Sequence, residues 1–337
     1  KPGEVMPEAW SQRLEVIEDP AKSYSLDEMW NLGKRIDFSR YDLFHIPHYT
    51  LPFNIAIPAV ITVHDLIHIN RPEKSYYPWL AAPLLRSSLK RASRILTVSN
   101  ATYKDIEFFL KGKKEILKKV RVVANALDPY YTQKKMKRNG NGHAIKPRVS
   151  GPYIMSIYSN LKPHKGLSDL LQAFQEVREK LGDIKLVLAG HGTVGMVGEE
   201  ELLEQASKTK GVIILGSLNK DELYELYKRA QALIVASYIE GFCLPVIEAQ
   251  SLSTPVVARP IPAVIELIST QDIICEDFSI KALAQGILRV LQRPKETDGK
   301  LDTEMQQHLR RFDCTNVARA VLGVYKEILE AADRRSK

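Results

Sequence analysis

Residues 237–249 read SYIEGFCLPVIEA, and their spacing decides how the chain folds. The run before them, residues 232–236, is apolar and strand-like, and a short helix is predicted over 245–252. Pro245 suits a first helical turn, where its missing N–H would have no partner anyway. Gly241 lets the backbone approach a ligand with no side chain in the way. The amides of Phe242, Cys243, Leu244 and Val246 are then expected to converge on a small volume of positive partial charge, a place for a phosphate. Glu248, further along the helix, is placed to accept hydrogen bonds from a vicinal diol such as a ribose. Two carboxylates beside an amide nest, Glu240 and Glu248, suit a ligand that carries both hydroxyls and phosphates. The bland alternative is a plain strand-to-helix turn with Glu248 in water.

The same strand-and-helix alternation runs outward from this stretch. In the second half, strands are predicted at 153–157, 185–189, 212–215, 232–236 and 255–258, with helices at 168–181, 199–208 and 220–230. In the first half, strands are predicted at 42–46, 59–63, 94–98 and 120–123. Helices are predicted there at 77–92 and at 101–110, after Ser99-Asn100, which reads as an N-cap. Short apolar strands between amphipathic helices indicate parallel sheets covered on both faces, wound right-handedly into doubly wound α/β domains. Ligands of such folds sit at the carboxyl ends of the strands. Residues 133–148, QKKMKRNGNGHAIKPR, are basic and aperiodic and read as a linker. The expected division is an N-terminal domain at 1–140, a linker at 141–150, a C-terminal domain at 151–311 and a segment at 312–337 crossing back to the first domain. The last helix, predicted at 315–332, carries an apolar stripe of Val317, Val321, Leu322, Tyr325 and Ile328.

Composition narrows the function classes. The 337 residues are 45% hydrophobic, enough for a sizeable core. No apolar run is long enough to span a bilayer, and the first ten residues do not read as a signal peptide. The 3 cysteines, Cys243, Cys275 and Cys314, are far apart and show no metal-ligand or disulfide spacing, which suits a reducing cytosol. The net charge of +8 includes two clusters. One comprises Lys111, Lys113, Lys114, Lys118, Lys119 and Arg121, and the other Lys134, Lys135, Lys137 and Arg138. A solvated face explains such runs most simply. They also suit anionic headgroups or phosphorylated ligands, so the expected location is cytoplasmic, with peripheral association at the inner membrane face. No aromatic interleaving points to nucleic acid. His64 and His68 mimic a zinc-binding HExxH, but a strand leading straight into His64 argues against the helix that motif needs. His45 and His48 flank Pro47 in a predicted loop and read as structural or cleft-lining.

Glu240 and Glu248, with Gly241-Phe242 and Leu244-Pro245 between them, resemble the E-x7-E signature of retaining GT-B glycosyltransferases, in particular glycosyltransferase family 4 (group 1). Cys243 stands where that family often has glycine. Ser253-Thr254-Pro255-Val256-Val257-Ala258 resembles the family's G-T-P-V-V-A, with Ser253 in place of glycine. The stretch from Asn160 to Gly166 resembles its R-L-x-x-x-K-G turn, with Asn160 where arginine is frequent. Gly190-His191-Gly192 resembles the G-x-G loop near the nucleotide, and Val63-His64-Asp65, Val98-Ser99 and Asn125 match first-domain landmarks.

The resemblance implies a GT-B fold, two Rossmann-like domains facing a cleft. It implies a metal-independent, retaining hexosyltransferase (EC 2.4) that moves a hexose from a nucleoside-diphosphate sugar to a hydroxyl acceptor, a glycan or lipid-linked saccharide. The donor, UDP- or GDP-linked, is a substrate, and no separate cofactor or metal is expected; the chain contains no DxD. His64, Lys165 and Glu240 are implied as catalytic. Asn160, Lys165, Gly190, Gly192, Gly241, Phe242, Cys243, Leu244 and Glu248 are implied as donor-binding. The family also opens with a strand, a Gly-rich turn and a helix, which the roughly forty residues before Asp42 do not contain, so that first unit is expected to be missing. A nucleotide-sugar-binding or scaffold protein without transferase activity is therefore the competing reading. A dehydrogenase needs a GxGxxG after a first strand, and none stands there.

Overall fold

The computed structural model describes residues 14–72, 75–137, 148–190, 199–293 and 299–336. The chain divides into two compact units. The first comprises residues 1–97, 106–121 and 322–337, and the second residues 98–105 and 122–321.

The first unit is built on strands β1 (Phe44–Ile46), β2 (Ala59–Val63), β3 (Arg94–Thr97) and β4 (Val120–Val122), in spatial order β1-β2-β3-β4. β1 pairs with β2, and β2 with β3, in parallel. Every residue of β2 is buried, as expected of an apolar strand with neighbours on both sides. Among residues 14–43 there is no strand; the segment instead holds the Leu26–Arg35 helix, which the sequence pattern did not reveal. Its N-cap is Ser25, whose hydroxyl accepts the Glu28 amide at 3.1 Å. The C-terminal helix, Cys314–Ser336, buries Val324 and Ile328. Leu322, expected in its apolar stripe, is instead 54% exposed, because the stripe runs along Val317, Val321, Val324 and Ile328. Within the first unit, Glu327 of this helix reaches Arg121 at 3.1 Å and Arg94 at 3.4 Å.

Part of the first basic cluster therefore serves the fold. Lys119 donates to the carbonyls of Lys90 and Ala92 at 2.8 and 2.9 Å, and Lys118 pairs with Glu115. Lys111, Lys113 and Lys114 are exposed. Residues 133–137, read as linker, form the end of the Pro129–Lys137 helix, and 138–147 lie outside the described residues. The side chains of the second basic cluster also lie outside them.

The second unit carries β5 (Tyr153–Ile157), β6 (Lys185–Ala189), β7 (Val212–Gly216), β8 (Leu233–Val235), β9 (Val256–Ala258) and β10 (Ile273–Ile274). Their order is β10-β9-β8-β5-β6-β7, with each neighbouring pair parallel. Successive residues point to opposite faces. Tyr153 and Met155 of β5 join one core with Tyr227, Val246 and Ile247. Ile154 joins another with Leu170, Phe174, Leu283 and Ile287. From β5 the chain runs outward to β6 and β7, then returns to β8 on the other side. β5 and β8 are thus the neighbours at which the winding reverses, the place where an open α/β sheet leaves a crevice.

Two backbone features shape this unit. Gly190, at φ 126°, donates to the Gly216 carbonyl at 2.8 Å, and a Cβ on it would lie 1.9 Å from the Tyr158 carbonyl oxygen. The Leu244–Ser251 helix ends in a Schellman turn: Thr254 N–H reaches Ala249 O and Ser253 N–H reaches Gln250 O, both at 3.0 Å. Ser253 sits there at φ 59°, a left-handed conformation that glycine adopts without strain. Gly190→Ala is expected to destabilise the second unit by more than about 3 kcal/mol, and Ser253→Gly to stabilise it by roughly 0.5–1 kcal/mol, in denaturant titrations. A neutral Gly190→Ala would contradict the close approach.

Candidate functional site

In the second unit the loops after β5 and β8 are pressed together. Gly166, at φ 67°, ends the short 3-10 turn Pro163–Lys165, and a Cβ on it would stand 2.2 Å from the Ala236 carbonyl oxygen. Tyr238 N–H donates to His164 O at 2.8 Å across the same contact. This approach brings Lys165 to Glu240. Lys165 Nζ lies 2.7 Å from Glu240 Oε1, and Ser237 Oγ donates to the same oxygen at 2.7 Å. The two charged side chains are only 17% and 12% exposed, so the pair is held in low dielectric where removing one partner strands the other. Asn160 turns inward on its own loop, accepting Lys162 N–H at 3.3 Å, and adds no charge.

The stretch that opened the sequence reading forms a bend of its own. Cys243 is left-handed, at φ 82°. Among the described residues no hydrogen bond is made by the amides of Phe242, Cys243 or Leu244. An αL residue next to a helix start is the geometry of an anion-binding nest. Val246 does not contribute, contrary to the expectation for it: its amide closes the first helical turn on the Cys243 carbonyl at 3.1 Å. Burial pushes the Cys243 thiol well above its ordinary range, so it is a packed neutral group. Gly241 is buried, and its carbonyl accepts Ser99 Oγ at 2.8 Å. Phe242 is buried edge-on against Phe312 at 5.8 Å.

Glu248 is not a solvated carboxylate. Tyr227 Oη donates to its Oε2 at 2.8 Å, and burial raises its pKa, while that hydrogen bond pulls the other way. Gly190 closes the β6 end as described, whereas His191 and Gly192 lie outside the described residues.

Sequence reasoning missed Arg259. It follows β9 with 0% exposure; its Nη1 donates to Ala236 O at 2.8 Å and its Nη2 reaches Asp169 Oδ2 at 2.5 Å. Its guanidinium also sits 4.3 Å from the Tyr238 ring centre, and Tyr238 donates to the same Asp169 oxygen. The only sequence signal was an arginine ending an apolar run.

In the first unit, His64 leaves β2 with Nε2 3.1 Å from the Pro47 carbonyl. It lines a cavity of about 420 Å³ with Asp65, Tyr49 and His68. His68 lies on the single-turn Ile67–Asn70 helix and stacks on Tyr49, centroids 4.8 Å apart. His48 Nδ1 is 2.7 Å from Thr50 Oγ1, its Nε2 is 3.4 Å from Glu28, and burial lowers its pKa. His45 bridges Tyr325 at 2.5 Å and Thr62 at 2.8 Å, also with a burial-lowered pKa. Among the described residues no group of 3 or more His, Cys, Asp or Glu side chains is placed to hold a metal.

Residues 141–309, half of the chain, match the model of the family described as Glycosyl transferases group 1. The chain belongs to this family. Residues 8–130 of this glycosyltransferase also match the model of Glycosyltransferase Family 4. It is 26% identical over 287 residues to the O-antigen chain mannosyltransferase RfbU of Salmonella typhimurium, covering 85% of this chain and 74% of RfbU. It is 28% identical over 224 residues to the serotype-specific mannosyltransferase WbdA of Escherichia coli, covering 62% of this chain but only 27% of WbdA. Anabaena HepE, solved in complex with UDP and glucose, superposes with a TM-score of 0.67 at 19% identity over 88% of this chain and 80% of HepE. That likeness shows the GT-B fold. No helix among the described residues of the glycosyltransferase is long and apolar enough to cross a membrane.

The raised pKa of Glu248 has a consequence for stability. The folded state binds this proton more readily than the unfolded chain, so the contribution is full below the ordinary value of 4.5 and is lost as pH rises through the raised value. Glu248→Gln removes the charge and keeps an acceptor for Tyr227. At pH 8 the variant is expected to melt at or above the wild type, by roughly 1–3 °C in calorimetry, with the gap closing toward acid pH. A clearly lower Tm at pH 8 would contradict burial as the dominant cause.

Proposed function

We propose that this glycosyltransferase moves a hexose from a UDP- or GDP-linked sugar to a hydroxyl of a glycan or lipid-linked saccharide, with retention at the anomeric carbon. The observation that carries this reading is the Lys165–Glu240 pair, 2.7 Å apart, next to three amides around left-handed Cys243 that have no hydrogen bond among the described residues. A cation and a helix N-terminus suit a diphosphate. The adjacent carboxylates suit hydroxyls, Glu240 those of the donor sugar and Glu248 those of the ribose. Support also comes from relatives: HepE is solved with UDP-glucose, and RfbU and WbdA are named mannosyltransferases.

The chemistry needs stabilisation of the charge that grows on the departing diphosphate. In this reading Lys165 shifts from Glu240 toward the phosphate, and the amides of Phe242, Cys243 and Leu244 point at its oxygens. Such groups contribute roughly 2–4 kcal/mol each in a transition state, so no metal is required in the scheme. The departing phosphate oxygen takes the proton of the acceptor hydroxyl, which attacks from the same face. Glu240 binds sugar hydroxyls and does not attack. The acceptor is assigned to the first unit, whose cavity His64 lines. Exposed Lys111, Lys113 and Lys114, close in sequence to the 85%-exposed Phe108, suit peripheral contact with an anionic membrane that delivers a lipid-linked acceptor.

Lys165→Ala is expected to lower kcat by about 10²–10³-fold in a donor-consumption assay, with an unchanged circular dichroism spectrum. Wild-type turnover in that variant would sink the assignment. Donor binding by calorimetry in the wild type, with neither transfer nor donor hydrolysis, would favour a binding or scaffold role.

A further inference from the structure

The first-unit cavity is a built site whose chemistry points to the kind of acceptor. Its volume of about 420 Å³ falls within the roughly 300–1,000 Å³ common for small-ligand pockets. Its walls are rich in tyrosine. Tyr24 lies over His48 with centroids 4.5 Å apart and reaches Tyr49 at 5.8 Å. Tyr24 is held there against backbone preference, at φ 65°, by a 2.6 Å hydrogen bond from its amide to Glu28 Oε2. Tyr24 lies in a turn and is 57% exposed, so its ring is accessible to a ligand. Aromatic faces against the C–H face of a pyranose, with a few polar groups at the edge, are a common way to hold a sugar ring.

The charge of the cavity is equally informative. Among its described lining residues there is no lysine or arginine. His48 does not substitute for one, because Thr50 and Glu28 flank its two ring nitrogens. The acidic member of the lining is Asp65, whose Oδ1 accepts the Ile67 amide at 2.9 Å and fixes the carboxylate at the start of the Ile67–Asn70 turn. A carboxylate accepts sugar hydroxyls well and repels a phosphate dianion, most strongly where solvent is excluded.

We propose that this cavity holds a neutral pyranose ring of the acceptor, packed on Tyr24 and Tyr49 and hydrogen-bonded by Asp65, and that it rejects sugar phosphates. The inference rests on assigning the acceptor to the first unit. The substrate class is then a neutral sugar residue, free or terminal on a glycan, and not a hexose phosphate.

Saturation-transfer NMR on the full chain tests this, with methyl glycosides of glucose, galactose and mannose as neutral probes and glucose 6-phosphate and mannose 6-phosphate as charged ones. At least one glycoside is expected to bind about tenfold or more tightly than the phosphate of its sugar. Tyr49→Ala is expected to weaken it about tenfold, and Tyr49→Phe much less. Asp65→Asn, which keeps the Oδ1 acceptor, is expected to narrow the gap between neutral and phosphorylated probes. Tighter binding of the phosphates, an unchanged Asp65→Asn ratio, or no glycoside signal at all would overturn the inference. UDP and GDP binding, measured on the same samples, separates this failure from failure of the donor reading, because only the latter loses the nucleotide.

Discussion

The second unit depends on one carbonyl. Ala236 O, at the end of β8, leaves no room for a Cβ on Gly166 and accepts Arg259 Nη1 at 2.8 Å. That contact locks the β5 loop to the β8 loop at the reversal of strand order. Lys165 stands one residue before Gly166, and Glu240 stands four after Ala236, so their 2.7 Å pairing follows from the backbone approach. Arg259 sits beneath the pair and is neutralised by Asp169. The buried guanidinium thus has its own counter-ion, as Lys165 has Glu240. A buried ion pair of this kind is poor evidence of stabilisation but good evidence of a fixed geometry.

Much of this was legible before any coordinates, and the reason differs by element. The central strands Tyr153–Ile157 and Lys185–Ala189 matched their predicted bounds because strands buried on both faces read as unbroken apolar runs. The Leu26–Arg35 helix went unread: it exposes Leu26 and Trp30 and buries Glu28, which blurs the period of its apolar face. β10 escaped because its two residues give a period nothing to act on. At the site, residue types and spacing pointed to Glu240 and Glu248, and the family resemblance to Lys165. They could not show that the Val246 amide is consumed by its own helix, or that a lone Arg259 would be drawn under the loops. Those facts come from long-range packing, which local pattern does not encode.

The two units differ in the polar groups they gather. In the second, Lys165 and buried Arg259 are each paired with a carboxylate, and the amides of Phe242, Cys243 and Leu244 make no hydrogen bond among the described residues. In the first, the cavity lining includes phenols, imidazoles and one carboxylate and, among the described residues, no lysine or arginine. Burial keeps the phenol of Tyr49 protonated, raising its pKa to about 12, and keeps His48 neutral at physiological pH. In the proposed reading the donor diphosphate and a neutral acceptor sugar meet these two different sets of groups, which favours specificity.

Strain marks the same places. Among the described residues five non-glycine residues have positive φ: Tyr24, Asn54, Lys111, Cys243 and Ser253. Asn54 and Lys111 lie in exposed turns, where such conformations are cheaply accommodated, and Ser253 merely ends a helix. Tyr24 also lies in a turn and is 57% exposed, whereas Cys243 is half-buried. Each costs roughly 1–2 kcal/mol relative to a relaxed backbone, and each is enforced by neighbours: Tyr24 by Glu28, Cys243 by the helix its carbonyl begins. Tyr24 lines the first-unit cavity, and the amides of Phe242, Cys243 and Leu244 make no hydrogen bond among the described residues. A glycine at position 243 would reach the same turn without strain but would leave unfilled the buried volume that the neutral thiol now occupies. Positive φ at Tyr24 and Cys243 falls beside the two proposed ligand sites, whereas at Asn54, Lys111 and Ser253 it only closes turns and a helix end.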